Sequence, residues 1–161
     1  LHLAEKFDAF QLTGPKRAEM LSWLFWQIGS APFIGGGFGH FYAYAPEKFE
    51  YPINRYAMET KRLFDVADKR LAEARFLAGD SYTIADIATF PWLAPFVEGI
   101  IYNDARTFLS MGEYSNVKRW VDEISARPAV RRGRMVNKTS GEENTRLRER
   151  HSAADFEGKA V

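Results

Sequence analysis

The sequence predicts an all-α fold, a helical bundle, and three observations support this. Apolar residues recur at spacings of three and four over long stretches, most clearly between Ile53 and Ala74. A helix-start motif lies at Thr83, and no window alternates apolar and polar residues as a half-buried strand would. With 161 residues, of which 46% are hydrophobic, the chain is long enough to bury one core.

The first segments predict two helices joined by a linker. Leu1 to Phe10 has the pattern of the last turns of a helix, and Thr13-Gly14-Pro15 is a linker. Lys16 to Ile28 places apolar side chains at helical spacing, and Trp23 and Trp26 widen this stripe. A helix that is apolar on so many sides must be covered on more than one of them, by the core or by a partner subunit.

Gly29 to Tyr44 is rich in glycine and aromatic residues, with five glycines in its first eleven positions. This composition predicts an irregular packed loop and argues against a regular helix or a central strand. Two interpretations of its aromatic residues stay open: an aromatic core, or the wall of a ligand pocket. A phosphate-binding loop is disfavoured, because no lysine followed by Ser or Thr comes after the glycines.

The longest periodic segment predicts a helix that begins at Pro46 and ends at Gly79. Glu47 and Glu50 lie in its first turn, where the helix dipole favours anions, and Pro52 is expected to kink it. Gly79 suits the end of a helix because glycine enters the left-handed conformation without a Cβ clash.

Thr83 and Asp86 predict a capping box at the start of the next helix, with Asp86 in the usual Glu or Gln place. This helix is apolar out to Ile101 but is interrupted by charges and prolines, so we expect a buried helix and not a membrane span, which would need about 20 mostly apolar residues. Further helical segments are predicted at 103–111, at 116–126 after Ser115, and from Pro128. Residues 138–161 are polar and predict a tail that is draped on the domain or disordered, with Phe156 as an anchor.

Composition excludes several kinds of function. The net charge is +1, so no global field recruits nucleic acid or a membrane surface, and the basic run Arg127 to Lys138 is interpreted as a solvated helix end. The chain has no cysteine, which excludes disulfides and a cysteine nucleophile from it and is compatible with the cytoplasm. His2, His40 and His151 are too scattered for a metal site. No catalytic residue and no metal site are predicted.

Five motifs follow one another in an order that resembles the nu-class glutathione transferases, the bacterial glutathione-dependent disulfide-bond oxidoreductases related to the fungal prion-type nitrogen regulator. These motifs are Trp23-Leu24-Phe25-Trp26-Gln27; Ala31-Pro32-Phe33-Ile34-Gly35-Gly36; Tyr56 to Leu63; Leu77-Ala78-Gly79-Asp80 with the capping box and Pro91-Trp92; and Trp120 with Arg127-Pro128-Ala129-Val130.

The resemblance implies a domain organisation. Residues 1–10 resemble the end of the last helix of an N-terminal thioredoxin-like domain, which is missing here. Residues 11–137 resemble the C-terminal helical domain, and 138–161 an extension found in one branch. The thiol-activating residue of the family lies in the missing domain, so the resemblance implies that this chain alone is inactive.

The resemblance also implies a binding site for glutathione. Arg55 stands where the family pairs an arginine with glutathione carboxylates, a task that suits the planar guanidinium. Gln27 matches a family contact in one branch, whereas another branch has its glutamine at the position of Ile28. The second-substrate pocket is expected to include four aromatic residues and His40, namely Phe33, Phe38, His40, Phe41 and Tyr42.

Two functions are carried forward. The first is the C-terminal domain of a cytoplasmic, homodimeric glutathione transferase with disulfide-bond reductase or peroxidase activity, which uses glutathione and no metal and acts on a small-molecule or disulfide substrate. The alternative is a non-catalytic helical interaction module, in which the tryptophan-rich stripe and the basic end are contact surfaces.

Overall fold

The computed structural model describes residues 1–136, 138, 141–147, 152–157 and 159. The chain divides into two compact units, Leu1–Val121 and Asp122–Val161. The first unit contains α1 (His2–Phe7), α2 (Pro15–Pro32), a π-helix (Phe33–Tyr44), α3 (Glu50–Glu73), α4 (Ile84–Glu98), α5 (Ala105–Phe108), the 3-10 helix Met111–Glu113 and most of α6 (Ser115–Ser125). The prediction of an all-α fold is confirmed, since the described residues form only isolated β-bridges.

The second unit contains α7 (Pro128–Met135) and two short 3-10 helices, Glu143–Thr145 and Ala153–Phe156. The Leu147 amide donates to the Met135 carbonyl at 2.8 Å, and both side chains are buried. The predicted tail, 138–161, falls partly outside the described residues. Within it Phe156 is half-buried. The tail boundary and the other domain boundaries stay predictions.

Helix α4 lies at the centre of the first unit. Its sequence is apolar on all sides, and eight of its residues are buried, including Phe90, Leu93 and Phe96. Helix α2 packs along α4, α5 follows at its far end, and α3 packs on the π-helix. Pro91 and Pro95 lie inside α4, which ends at Gly99 in the left-handed conformation with φ 71°.

The capping box at the start of α4 is confirmed. The Thr83 amide donates to Asp86 Oδ2 at 2.9 Å, and the Thr83 hydroxyl accepts from the Ala85 amide at 3.3 Å as well as from the third helical residue. The other carboxylate oxygen, Asp86 Oδ1, accepts from the Leu77 amide at 2.9 Å and from the Trp120 indole Nε1 at 3.0 Å. A motif that the sequence presents as local therefore also joins α4 to the preceding turn and to α6.

The prediction of an irregular loop over Gly29–Tyr44 is wrong. Helix α2 continues to Pro32, and the next twelve residues form the π-helix. Its glycines admit aromatic rings from other elements: Tyr102 lies against Gly39, Tyr56 against Gly37, and Trp92 against Gly35. The glycines therefore serve close packing of a helix, which composition alone cannot distinguish from the freedom of a loop.

Both predicted ends of the longest helix are also wrong. Helix α3 begins at Glu50, so Pro52 lies in its first turn, where the missing amide costs no intrahelical hydrogen bond and no kink is needed. The helix ends at Glu73, and Gly79, with φ 117°, closes a tight turn with Phe76 instead. A residue distant along the chain caps the end of α3: the Arg119 guanidinium donates to the carbonyl of Leu71 in the helix and to those of Ala74 and Arg75 just after it.

Asp68 caps the start of α6 in return. Its Oδ1 accepts from the backbone amides of Asn116 and Val117, each at 2.9 Å, and its Oδ2 accepts from the Asn116 side-chain amide at 2.9 Å. An acidic side chain at the positive end of a helix dipole is favourable. Helices α3 and α6 therefore satisfy each other's terminal backbone groups.

Thr60 is fully buried in α3, and its hydroxyl has no hydrogen-bond partner within the described part of the chain. Thr60→Val is expected to raise the free energy of unfolding by about 1 kcal/mol, because it removes an unsatisfied buried hydroxyl at almost constant volume. The matched control is Thr89→Val, since the buried Thr89 hydroxyl donates to the Ala85 carbonyl at 2.7 Å and its loss should cost about 1 kcal/mol. Urea denaturation measures both, and a loss of stability in both variants would contradict the prediction.

Candidate functional site

The exposed face of α3 carries a cluster of three charged side chains, Arg55, Glu59 and Arg62. Their spacing of four and three residues places them in succession on one helical face. Arg62 donates to Glu59 Oε1 from Nε at 3.0 Å and from the terminal nitrogen at 2.5 Å, and Arg55 approaches Glu59 Oε2 at 3.8 Å. Hydrogen bonding from Arg62 is the main reason why the pKa of Glu59 lies below its ordinary value.

This cluster can bind an anion. The Arg55 side chain is 52% exposed, and its contact with Glu59 is long and made from one nitrogen. Two guanidinium groups against one carboxylate leave a net charge of +1. An exposed guanidinium with unused N–H groups is suited to a carboxylate ligand, which it can bind with two parallel hydrogen bonds.

Gln27 and Ile28 lie on different faces of α2. Gln27 is buried and lines a cavity of about 10 Å³ against α4, together with Ser30, Thr89 and Trp92. Ile28 is 56% exposed. Gln27 thus faces α4, whereas Arg55 lies on α3 and pairs with Glu59.

The five residues predicted to form a substrate pocket all belong to the π-helix, but they divide between its surface and its packed side. Phe33 and His40 are exposed. Phe41 is half-buried and stacks on Tyr56, with the ring centroids 5.5 Å apart. Phe38 is fully buried and lies among four rings, so it belongs to an aromatic core, one of the two interpretations that the sequence leaves open. These rings are those of Tyr42, Phe96, Tyr102 and Phe108.

Tyr42 connects the π-helix to the start of α5. Its hydroxyl donates to Asp104 Oδ1 at 2.6 Å. Burial, and next the hydrogen bond to Asp104, raise the pKa of Tyr42 to about 12. The phenol therefore stays protonated at neutral pH and acts as a hydrogen-bond donor, so it cannot serve as a base.

Several residues of this region were not found from the sequence. Glu59 and Arg62 follow Arg55 by four and seven residues, and this spacing indicates a charged cluster on one helical face. Tyr56, Tyr102 and Asp104 carried no such signal, because each acts through a contact with the π-helix that is distant along the chain.

A second surface feature is an apolar groove between α1 and the start of α4, with a volume of about 540 Å³. Its lining includes side chains that are 40–67% exposed, namely Leu1, Leu3, Phe7, Phe10 and Ile87. Arg17 pairs with Glu5 at 2.9 Å and connects α1 to α2. Within the segment predicted to be helical, 1–10, only His2–Phe7 forms a helix, and apolar side chains of this helix lie at the surface.

Metal-binding groups and membrane-spanning helices are absent from the part of the chain that the structure describes. There, no group of three or more His, Cys, Asp or Glu side chains is arranged to hold a metal ion. Among the same residues, no helix combines the length and the apolar character needed to cross a membrane.

Known proteins are similar to this chain in sequence and in fold. The family described as "Glutathione S-transferase, C-terminal domain" matches residues 23–128. The chain is 58% identical over 158 residues to the disulfide-bond oxidoreductase YghU of Escherichia coli, covering 98% of the chain and 54% of that protein. It is 39% identical to the disulfide-bond oxidoreductase YfcG of Escherichia coli, covering 81% of the chain and 57% of that protein.

Solved structures of glutathione transferases are also similar to this chain. The crystal structure of glutathione transferase YghU from Streptococcus pneumoniae, complexed with glutathione, has a TM-score of 0.82 and 53% identity, covering 86% of this chain and 53% of that one. A glutathione transferase family member from Pseudomonas fluorescens, with two glutathione bound, has a TM-score of 0.73 and 36% identity, covering 81% and 58%. The chain spans about half the length of these proteins. By its sequence and its fold, the chain belongs to the glutathione S-transferase C-terminal domain family.

Proposed function

We propose that this chain is the C-terminal domain of a glutathione-dependent disulfide-bond oxidoreductase, and that Arg55 binds a carboxylate of glutathione. The observation that carries the proposal is the exposed, incompletely paired guanidinium of Arg55, in a chain 58% identical to a disulfide-bond oxidoreductase. Glutathione has two carboxylates, so a cationic site that can form paired hydrogen bonds matches its chemistry.

The proposed reaction is thiol–disulfide exchange. The thiolate of one glutathione attacks a sulfur of the substrate disulfide, forms a mixed disulfide and expels a substrate thiolate, which takes up a proton. A second glutathione thiolate attacks the glutathione sulfur of the mixed disulfide, which releases glutathione disulfide and the second substrate thiol. Two glutathione molecules are oxidised, and one substrate disulfide is reduced. The contribution of this chain is to bind and orient glutathione, since it has no cysteine and Tyr42 of the π-helix stays protonated.

A thioredoxin-like domain, which would supply the thiol-activating residue, is proposed as the partner of the apolar groove between α1 and α4. The groove supports this proposal because several large apolar side chains are exposed side by side along it, as at the edge of an interface. The relatives, about twice as long as this chain, have room for such a domain. We also propose a homodimer, supported by the exposed Phe25 and Ile28 on α2. A cytoplasmic location is proposed because glutathione keeps thiols reduced there.

Arg55→Ala tests this function in the longest natural protein that contains the chain. The KM for glutathione in the reduction of a small disulfide is expected to rise about tenfold or more, because a hydrogen-bonded charge contact contributes about 1.5–3 kcal/mol. Arg132→Ala, at an exposed arginine of α7, is the matched control and should leave KM unchanged. An Arg55→Ala enzyme with the wild-type KM would refute the site. A wild-type protein that neither binds glutathione nor reduces disulfides would instead favour the non-catalytic interaction module.

A further inference from the structure

We propose that Glu59 is a positioning residue for Arg55: Arg62 fixes the Glu59 carboxylate, and Glu59 in turn orients the Arg55 guanidinium toward a carboxylate of glutathione. This inference rests on the proposed function and deepens it, because it assigns the control of glutathione affinity to a residue that need not touch glutathione.

The first step of the argument is the unequal exposure of the three side chains. The Glu59 side chain is only 14% exposed, whereas those of Arg55 and Arg62 are 52% and 56% exposed. The Glu59 side chain is thus largely shielded from solvent, whereas both arginine side chains remain exposed. A shielded carboxylate needs hydrogen-bond donors, and Arg62 supplies two of them to Oε1.

The second step is that the two oxygens of the Glu59 carboxylate contact different arginines. Oε1 accepts both bonds from Arg62, so this ion pair is close and has two hydrogen bonds. Oε2 faces Arg55 at 3.8 Å, a distance at which attraction orients the guanidinium without saturating its N–H groups. The cluster therefore holds one arginine in a closed pair and leaves the other available to a ligand.

The third step is the entropy of binding. An isolated exposed arginine populates many rotamers, and a ligand that immobilises it must overcome that loss of freedom. Since α3 is a regular helix of 24 residues, positions 55, 59 and 62 keep a fixed spacing. Glu59 restricts Arg55 before the ligand arrives, and it does so without placing its own carboxylate at the exposed end of the cluster.

A double-mutant cycle in the longest natural protein that contains the chain tests the inference. Glu59→Gln keeps the shape of the side chain and removes its charge. The KM for glutathione is expected to rise about threefold to tenfold with kcat unchanged, as expected for a loss of preorganisation. In the Arg55→Ala background, the same substitution is expected to leave the KM unchanged, because the residue through which Glu59 acts is absent.

A merely structural role for Glu59 would give a different pattern. The KM, or the melting temperature, would then respond to Glu59→Gln equally in both backgrounds, and this result would overturn the inference. An unchanged KM in the Arg55 wild-type background would overturn it as well. In either case, an Arg55→Ala enzyme with a raised KM would leave the proposed function standing.

A measurement that does not depend on catalysis distinguishes failure of this inference from failure of the proposed function. The Nε–Hε resonance of Arg55 in the protein, observed by nitrogen–proton NMR, is expected to show a restricted side chain that becomes mobile in Glu59→Gln. If its mobility is the same in both proteins, the inference is overturned whether or not glutathione is the substrate. If the wild type fails to reduce disulfides with glutathione but mobility changes as expected, the proposed function fails and Glu59 still positions Arg55.

Discussion

The free energy of unfolding of the Asp86→Ala variant is expected to be lower than that of the wild type by about 3 kcal/mol or more. The carboxylate accepts from the amides of Leu77 and Thr83 and from the Trp120 indole, and all of these groups are buried. Alanine removes the helix cap, which costs about 1 kcal/mol, and leaves donors without an acceptor, each at about 1–3 kcal/mol. Urea denaturation followed by tryptophan fluorescence measures the change.

Asp80→Ala is the matched control for this variant. Asp80 lies six residues earlier, in the connection before α4, and is exposed, so its removal is expected to change stability by less than about 0.5 kcal/mol. A similar loss in both variants would show that the connection tolerates alanine poorly in general, and would refute the importance assigned to the buried carboxylate.

The same carboxylate makes stability depend on pH. Burial raises the pKa of Asp86, although the hydrogen bonds from Leu77, Thr83 and Trp120 oppose this effect. The folded state therefore binds the proton more tightly than the unfolded state. The stability contributed by this group is fully present below the ordinary aspartate pKa and declines as the pH rises through the raised value. The difference in unfolding free energy between wild type and the non-titrating Asp86→Asn should decline over the same range, and a difference that grows with pH would contradict the raised pKa.

Gly37→Ala is expected to lower the free energy of unfolding by about 1–3 kcal/mol, which is a typical loss when a site is overpacked. A Cβ at position 37 would meet the ring of Tyr56, and that ring is already stacked on Phe41, so it has little room to move. The variant is therefore expected to disturb the packing of the π-helix on α3. Loss of near-ultraviolet circular dichroism would report the movement of the tyrosine.

Gly36→Ala is its neighbouring control. A Cβ at position 36 would meet nothing within 4 Å, so this alanine should be neutral or should stabilise the helix by up to about 1 kcal/mol. If both alanine variants lose stability equally, the glycines are required for backbone conformation and not for the approach of a ring.

The start of α4 and the buried face of α3 could be predicted from the sequence, because both depend on residues close together along the chain. The capping box is one example, because Thr83 and Asp86 lie three residues apart and their residue types suffice to define the geometry. The periodic apolar pattern of α3 is another, since it identifies the buried face without knowledge of what covers it. Arg55, in contrast, is singled out by the family resemblance and not by this pattern.

The remaining features depend on contacts between distant parts of the chain. Gly79 has the signal of a helix end, but α3 ends earlier. At that end, Arg119 of α6 donates to the carbonyls of Leu71 and Ala74. The π-helix was mistaken for a loop because the rings that explain its glycines belong to Tyr56, Trp92 and Tyr102. Similarly, the sequence could not show that Gln27 faces α4 while Ile28 faces outward.

The reciprocal caps of α3 and α6 have a consequence for local opening of the domain. A helix end normally frays by itself, because its terminal backbone groups exchange their partners for water one turn at a time. Here Asp68 and Leu71 lie in the last two turns of α3, and Asn116 and Arg119 lie in the first two turns of α6, so each end stabilises the other. If the end of α3 unwinds, the amides of α6 lose their acceptor, and if α6 unwinds, the carbonyls of α3 lose their donor. The two ends therefore behave as a single cooperative unit, although more than forty residues separate them along the chain.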